Sequence, residues 1–156
     1  MNMGDVMKVK VIFLDFDGVL NSDEYFERTK YDKINRSELD DSSLKILREI
    51  INLTDAKIVV TSTWKELRRF DKVKEYLKSH GILVYDTTRK IDFKRGEEIR
   101  DYLSSHKDIS EFVIVDDEVF PDFNELTKYL VKTDFYSGGL KEEHKCEIVK
   151  RLRKCL

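Results

Sequence analysis

Nothing in this 156-residue chain is long and apolar enough to cross a membrane, and its first eight residues lack the apolar core of a secretion signal. The cytoplasm is therefore the expected compartment. Only two cysteines occur, Cys146 and Cys155, both in the last helical segment and away from the other polar clusters. A disulfide framework or a zinc site is thus without support, and the two read as ordinary thiols. The three histidines, His80, His106 and His144, are scattered at expected helix ends and read as surface residues. A single proline, with 38% charged and 40% hydrophobic residues, suits a soluble, helix-rich protein. The net charge of −2 argues against an extended nucleic-acid surface but leaves room for a basic rim around one site. There is no internal repeat. The length fits one domain over residues 1–156, and nothing implies an obligate protein partner.

What the chain does have is an apolar run, Val11 to Leu14, that ends in Asp15-Phe16-Asp17-Gly18. Consecutive apolar residues predict a strand buried on both faces, as in a parallel sheet covered by helices, with its carboxyl end at the active edge. Asp15 and Asp17 alternate with Phe16, so in strand geometry both carboxylates leave one side. Gly18 then permits a sharp bend. Two carboxylates held that close repel unless a cation sits between them or one holds a proton, so a divalent metal and an acid/base role both follow.

Strand and helix signals alternate along the rest of the chain. Residues 21–40 read as a loop or flap over the strand ends, too short for a separate cap domain. Asp41-Ser42-Ser43 offers a helix N-cap, with Leu44, Leu47, Ile50 and Ile51 on one face through about Leu53. A second buried strand is expected at 57–61, and then a charged helix with Leu67, Phe70, Val73, Tyr76 and Leu77 on one stripe, stopped near Gly81. Further strands are expected at 82–85, 111–115 and 131–135, and helices at 96–106, 122–130 and from Leu140 to Leu156. Such alternation implies α/β architecture with a central parallel sheet.

Three of the expected strands end in polar residues suited to phosphate chemistry: Asp15 and Asp17, Thr61 and Ser62, and Asp116 and Asp117. Lys94-Arg95-Gly96, just before an expected helix, brings positive charge to the same edge. Trp64 reads as partly buried against the next helix in preference to stacking on a base. Lys65, Arg68, Arg69, Lys72 and Lys74 read as a solvated helix face whose first turn flanks the site.

In order and spacing this pattern resembles the haloacid dehalogenase (HAD) superfamily over nearly the whole chain. The run Asp-Gly-Val-Leu-Asn-Ser, with Thr-Ser-Thr-Trp-Lys, Lys-Arg-Gly-Glu-Glu-Ile, Val-Asp-Asp-Glu and the late Gly139-Leu140, most resembles the small HAD domains of RNA-repair (Swiss Army Knife) proteins. The resemblance implies a three-layer α/β/α Rossmann-like HAD core with a central parallel sheet, residues 22–40 as a minimal cap, and no large cap domain. It implies a phosphatase in which Asp15 attacks a phosphoryl group and Asp17 acts as general acid and base. Mg2+ would be held by Asp15, the Asp17 carbonyl and Asp116, with Asp117 binding through water or orienting the site. Thr61 would bond a phosphoryl oxygen, with Ser62, Gly18 and Lys65 beside the substrate. Lys94 or Arg95 would stabilise the transferring charge. Asp122 is either a supporting residue of this site or a charge that suits a helix dipole. A small cap leaves an open site, which makes a phosphorylated polynucleotide end a candidate substrate. The alternatives are a phosphatase of nucleotides or sugar phosphates with residues 21–40 folded down as a lid, and a non-catalytic phosphate-binding module.

Overall fold

The computed structural model describes residues 8–153. The expectations for residues 1–7, Cys155 and Leu156 lie outside the described residues. Five strands, Val9–Leu14 (β1), Lys57–Val60 (β2), Val84–Thr87 (β3), Ile109–Asp116 (β4) and Leu130–Lys132 (β5), form one all-parallel sheet in the order β3-β2-β1-β4-β5. The helices are Asp23–Arg28 (α1), Asp41–Thr54 (α2), Phe70–Ser79 (α3), Arg95–Ser105 (α4) and Glu142–Leu152 (α5). Among the described residues no helix is long and apolar enough to cross a membrane.

The central strand is apolar throughout because helices cover both of its faces. Ile12 and Leu14 pack with Leu44, Leu47 and Ile50 of α2, Leu77 of α3, and Ile148 and Leu152 of α5. Val11 and Phe13 face the other way, against Ile99 and Tyr102 of α4 with Phe123 and Leu126. The result is the expected three-layer α/β/α arrangement.

Several local expectations need correcting. Residues 122–130 form no α-helix: Asn124 has φ +48 and a tight 3-10 run occupies Asn124–Tyr129, because Leu126 is the run's one buried side chain. The third strand lies two residues later than expected, since Ile82 is still bonded to the end of α3 through Leu77 O and β3 begins only where it meets β2. The last strand ends at Lys132 and is followed by a 3-10 turn at Phe135–Ser137. Helix α3 begins at Phe70, and Leu67 on its supposed stripe is 40% exposed. The flap is more ordered than a loop: Ser22 Oγ caps α1, and the buried Tyr25 hydroxyl donates to Ser37 O at 2.6 Å, tying its two arms together.

These burials set a contrast. Leu47→Ala, inside the core, is expected to cost about 2–5 kcal/mol, and Leu67→Ala to stay within about 0.5 kcal/mol. Urea denaturation of the two variants checks it; equal costs would place Leu67 in the core.

Candidate active site

Register brings the polar strand ends together. Leu14 pairs with Val60 on one side and Val115 on the other, so the next residue of each strand, Asp15, Thr61 and Asp116, leaves the sheet at one level. The ladder continues one step further, with Asp15 N donating to Val115 O and Thr61 N to Leu14 O. Backbone hydrogen bonds thus hold all three residues at the carboxyl edge, where ligands of open parallel sheets bind.

Asp15, Asp116 and Asp117 form one acidic cluster, each offering an oxygen within 4.8 Å of the others. Arg95 reaches into it from the first residue of α4. Its Nη1 lies 2.7 Å from Asp116 Oδ2 and 3.5 Å from Asp15 Oδ1, and its guanidinium sits 4.6 Å over the Phe120 ring. Burial pushes the Asp15 carboxyl up to about 6 despite Arg95. Burial, and then the charge of Asp15, push Asp116 up to about 9. Asp117, half-buried, is raised by burial as well. One guanidinium does not offset three crowded carboxylates, and this donor set of hard oxygens fits a divalent cation.

Asp17 stands apart from the cluster. It is exposed, and its carboxylate accepts from Asn21 Nδ2 at 2.9 Å and from Trp64 Nε1 at 3.0 Å. Phe16 between the two aspartates is fully buried. Gly18 follows at φ +81, and a Cβ there would overlap the Asp117 carboxylate, so only glycine suits the bend. Both backbone groups of Gly18 are engaged, its amide with Asn21 Oδ1 and its carbonyl with Thr133 Oγ1.

The Thr61 hydroxyl is buried without a hydrogen-bond partner. Ser62 Oγ accepts from Trp64 N and so caps the short turn Thr63–Glu66. Lys65 does not belong to a solvated face: its side chain is 4% exposed, and Nζ donates to Thr61 O at 2.9 Å and pairs with Glu98 at 2.6 Å. Thr88 Oγ1 donates to the same Glu98 oxygen. Arg68, Arg69 and Lys72 are exposed as expected, and Lys74 is half-buried. The two candidate cations separate clearly, for Lys94 is exposed at the helix N-cap while Arg95 is buried at the acidic cluster. Asp122 caps α4 from outside the helix, accepting from the amides of Gly96 and Glu97. It thereby anchors the turn that carries Arg95, and its charge also suits the helix dipole.

Sequence reasoning missed the part played by Asn21, Trp64, Glu98 and Phe120. Asn21 lies in the same motif run, four residues after Asp17, which was a usable signal. The Trp64 contact spans 47 residues of sequence and leaves no local trace.

A five-stranded parallel sheet sandwiched by helices, with acidic strand ends meeting a cation at one edge, is the architecture of a HAD-type phosphohydrolase core. Residues 11–144 match the family described as "HAD domain in Swiss Army Knife RNA repair proteins", and the chain belongs to that family. Comparison with curated proteins and with solved structures finds no match.

The buried pair of Lys65 and Glu98 generates a stability test. Lys65→Met alone strands a buried carboxylate and is expected to cost about 3–5 kcal/mol. Adding Glu98→Gln, which leaves Thr88 an acceptor, is expected to recover most of that loss in chemical denaturation. A double variant as unstable as the single one would contradict the electrostatic account.

Proposed function

We propose that this domain is a cytoplasmic, Mg2+-dependent phosphomonoesterase that works through an aspartyl-phosphate on Asp15 and acts on a phosphorylated polynucleotide end. The observation that carries the reading is the Thr61 hydroxyl, buried and unpartnered at the level where Asp15 leaves the sheet. An orphaned buried hydroxyl costs about 1–3 kcal/mol, and a phosphoryl oxygen beside the nucleophile would satisfy it.

Asp15, Asp116 and Asp117 would hold the metal, with the Asp17 carbonyl as a further oxygen donor. When bound, Mg2+ offsets the repulsion between an incoming phosphate and these carboxylates. An Asp15 oxygen attacks phosphorus, and the bond to the leaving oxygen breaks as Asp17 gives that oxygen a proton. Asp17 then takes a proton from water, whose oxygen displaces Asp15 and frees inorganic phosphate. Arg95, the buried member of the two candidate cations, keeps positive charge beside the nucleophile throughout. Lys65 and Ser62 support the site by holding the Thr61 carbonyl and the Trp64 turn.

Two features favour a large substrate over an enclosed metabolite. The flap tip is not packed down on the domain, Tyr31 and Ile34 being 94% and 96% exposed. Beside Arg95, Phe93 projects into solvent with Lys90 over its ring at 5.8 Å and the exposed Lys94 next to it. An exposed ring with basic neighbours suits unpaired nucleotides, which stack and carry phosphates. The family description, which concerns RNA repair, supports the same substrate class.

Asp15→Asn is expected to abolish phosphate release, and Asp17→Asn to lower it about 10²–10⁴-fold. Turnover of 3'- or 5'-phosphorylated oligonucleotides should exceed that of nucleotides and sugar phosphates and should weaken as salt rises. Better turnover of the small compounds would favour the metabolite reading, and unchanged activity of Asp15→Asn would remove the catalytic one. Separately, Mg2+ is expected to raise the melting temperature of the wild type and to do so far less for Asp116→Asn. Equal stabilisation of both would place the ion elsewhere.

A further inference from the structure

Asp17 is exposed, and an exposed aspartate rotates freely unless something holds it. Here each carboxylate oxygen has its own donor, Asn21 Nδ2 on Oδ1 and Trp64 Nε1 on Oδ2. Both donors are themselves held by neighbours. Asn21 is buried, accepts the Gly18 amide on its own oxygen at 3.0 Å, and shares its Nδ2 with Glu38 O at 3.3 Å. The Trp64 ring meets the fully buried Phe16 edge-on at 5.4 Å and 90°. The same ring carries the Arg69 guanidinium, 5.3 Å from its centroid and paired with the Glu38 carboxylate at 2.8 Å. Packing alone would accept phenylalanine at position 64. Phenylalanine would lack the indole N–H that donates to Asp17.

We propose that Asn21 and Trp64 are positioning residues that aim the Asp17 carboxylate at the leaving oxygen, and that the return of the flap at Glu38 braces both. This rests on the reading of Asp17 as general acid and base. The bracing is twofold: the Glu38 carbonyl accepts from Asn21, and the Glu38 carboxylate pairs with the Arg69 that lies on the Trp64 ring. The flap and the proton-transfer group are thereby parts of one network, whereas Asp15 is set by the sheet and by Arg95.

The test exploits the fact that a general acid matters most for a poor leaving group. In Trp64→Phe, kcat/KM for an alkyl phosphate such as glycerol phosphate is expected to fall about 10–100-fold, part of the full acid/base contribution. For p-nitrophenyl phosphate, whose leaving group needs little protonation, the fall should stay within about threefold. Asn21→Ala should show the same selectivity. Equal losses on both substrates would make the two residues merely structural, and no loss on either would remove the proposal. A wild type inactive on both of these and on phosphorylated oligonucleotides would instead overturn the phosphatase reading itself. The contact has its own readout, because Trp64 is the only tryptophan. The single indole N–H resonance should shift upfield in Asp17→Ala, and an unmoved resonance would show that no such hydrogen bond forms in solution.

Discussion

The ion pair between Arg95 and Asp116 is the constraint around which the active edge is built. With side chains 9% and 1% exposed, these charges have left water and depend on each other and on exact surroundings. Placing the guanidinium there requires α4 to start at Arg95, and the chain before it turns through left-handed backbone at Asp92 and Phe93 to do so. Such conformations are costly in non-glycine residues and persist only where neighbours impose them. The neighbour is the loop after β4. Asp122 accepts from the first free amides of the helix, Phe120 lies under the guanidinium, and Gly96 is bare because a Cβ would strike the Asp122 backbone. The start of α4 and the loop after β4 are therefore shaped to each other, and two side chains benefit.

That pair leaves the site short of positive charge. Asp15, Asp116 and Asp117 are all pushed upward, chiefly by burial, and Arg95 opposes the shift without cancelling it. Without a further cation the folded chain holds protons on these groups to higher pH than free aspartates do, which works against a carboxylate nucleophile or a metal ligand. A divalent ion reverses the preference for all three at once. The same crowding that strains the site alone is thus what would favour a divalent cation there.

The sequence made the framework legible because the framework is periodic. Val11 to Leu14 has to be apolar on both faces, and the order of Asp15, Thr61, Arg95 and Asp116 follows from parallel strands that end on one edge. What was not legible depends on direction and distance. Lys94 and Arg95 are adjacent and chemically alike, and at a helix start successive side chains point about 100° apart, so composition cannot say which one turns inward. Lys65 looked like one of five surface cations; its burial depends on Glu98, which lies 33 residues away. The helix expected at 122–130 failed for a related reason, since the demands of Asp122 and Phe123 on α4 and the core outweigh the propensity of a nine-residue stretch.

Asp15 and Asp17 are separated by one residue yet occupy opposite environments, and the proposed chemistry requires that. A nucleophile gains from burial, where its attack angle is set by the sheet and water is excluded. An acid/base group has to meet both a leaving oxygen and a water molecule, so it must reach solvent, and exposure removes the packing that would otherwise orient it. Hydrogen bonds have to supply the orientation in place of packing. Asn21 and Trp64 do so on either oxygen, and the flap holds both from behind at Glu38. A minimal cap too small to enclose a substrate is still large enough to brace the one side chain that the sheet cannot.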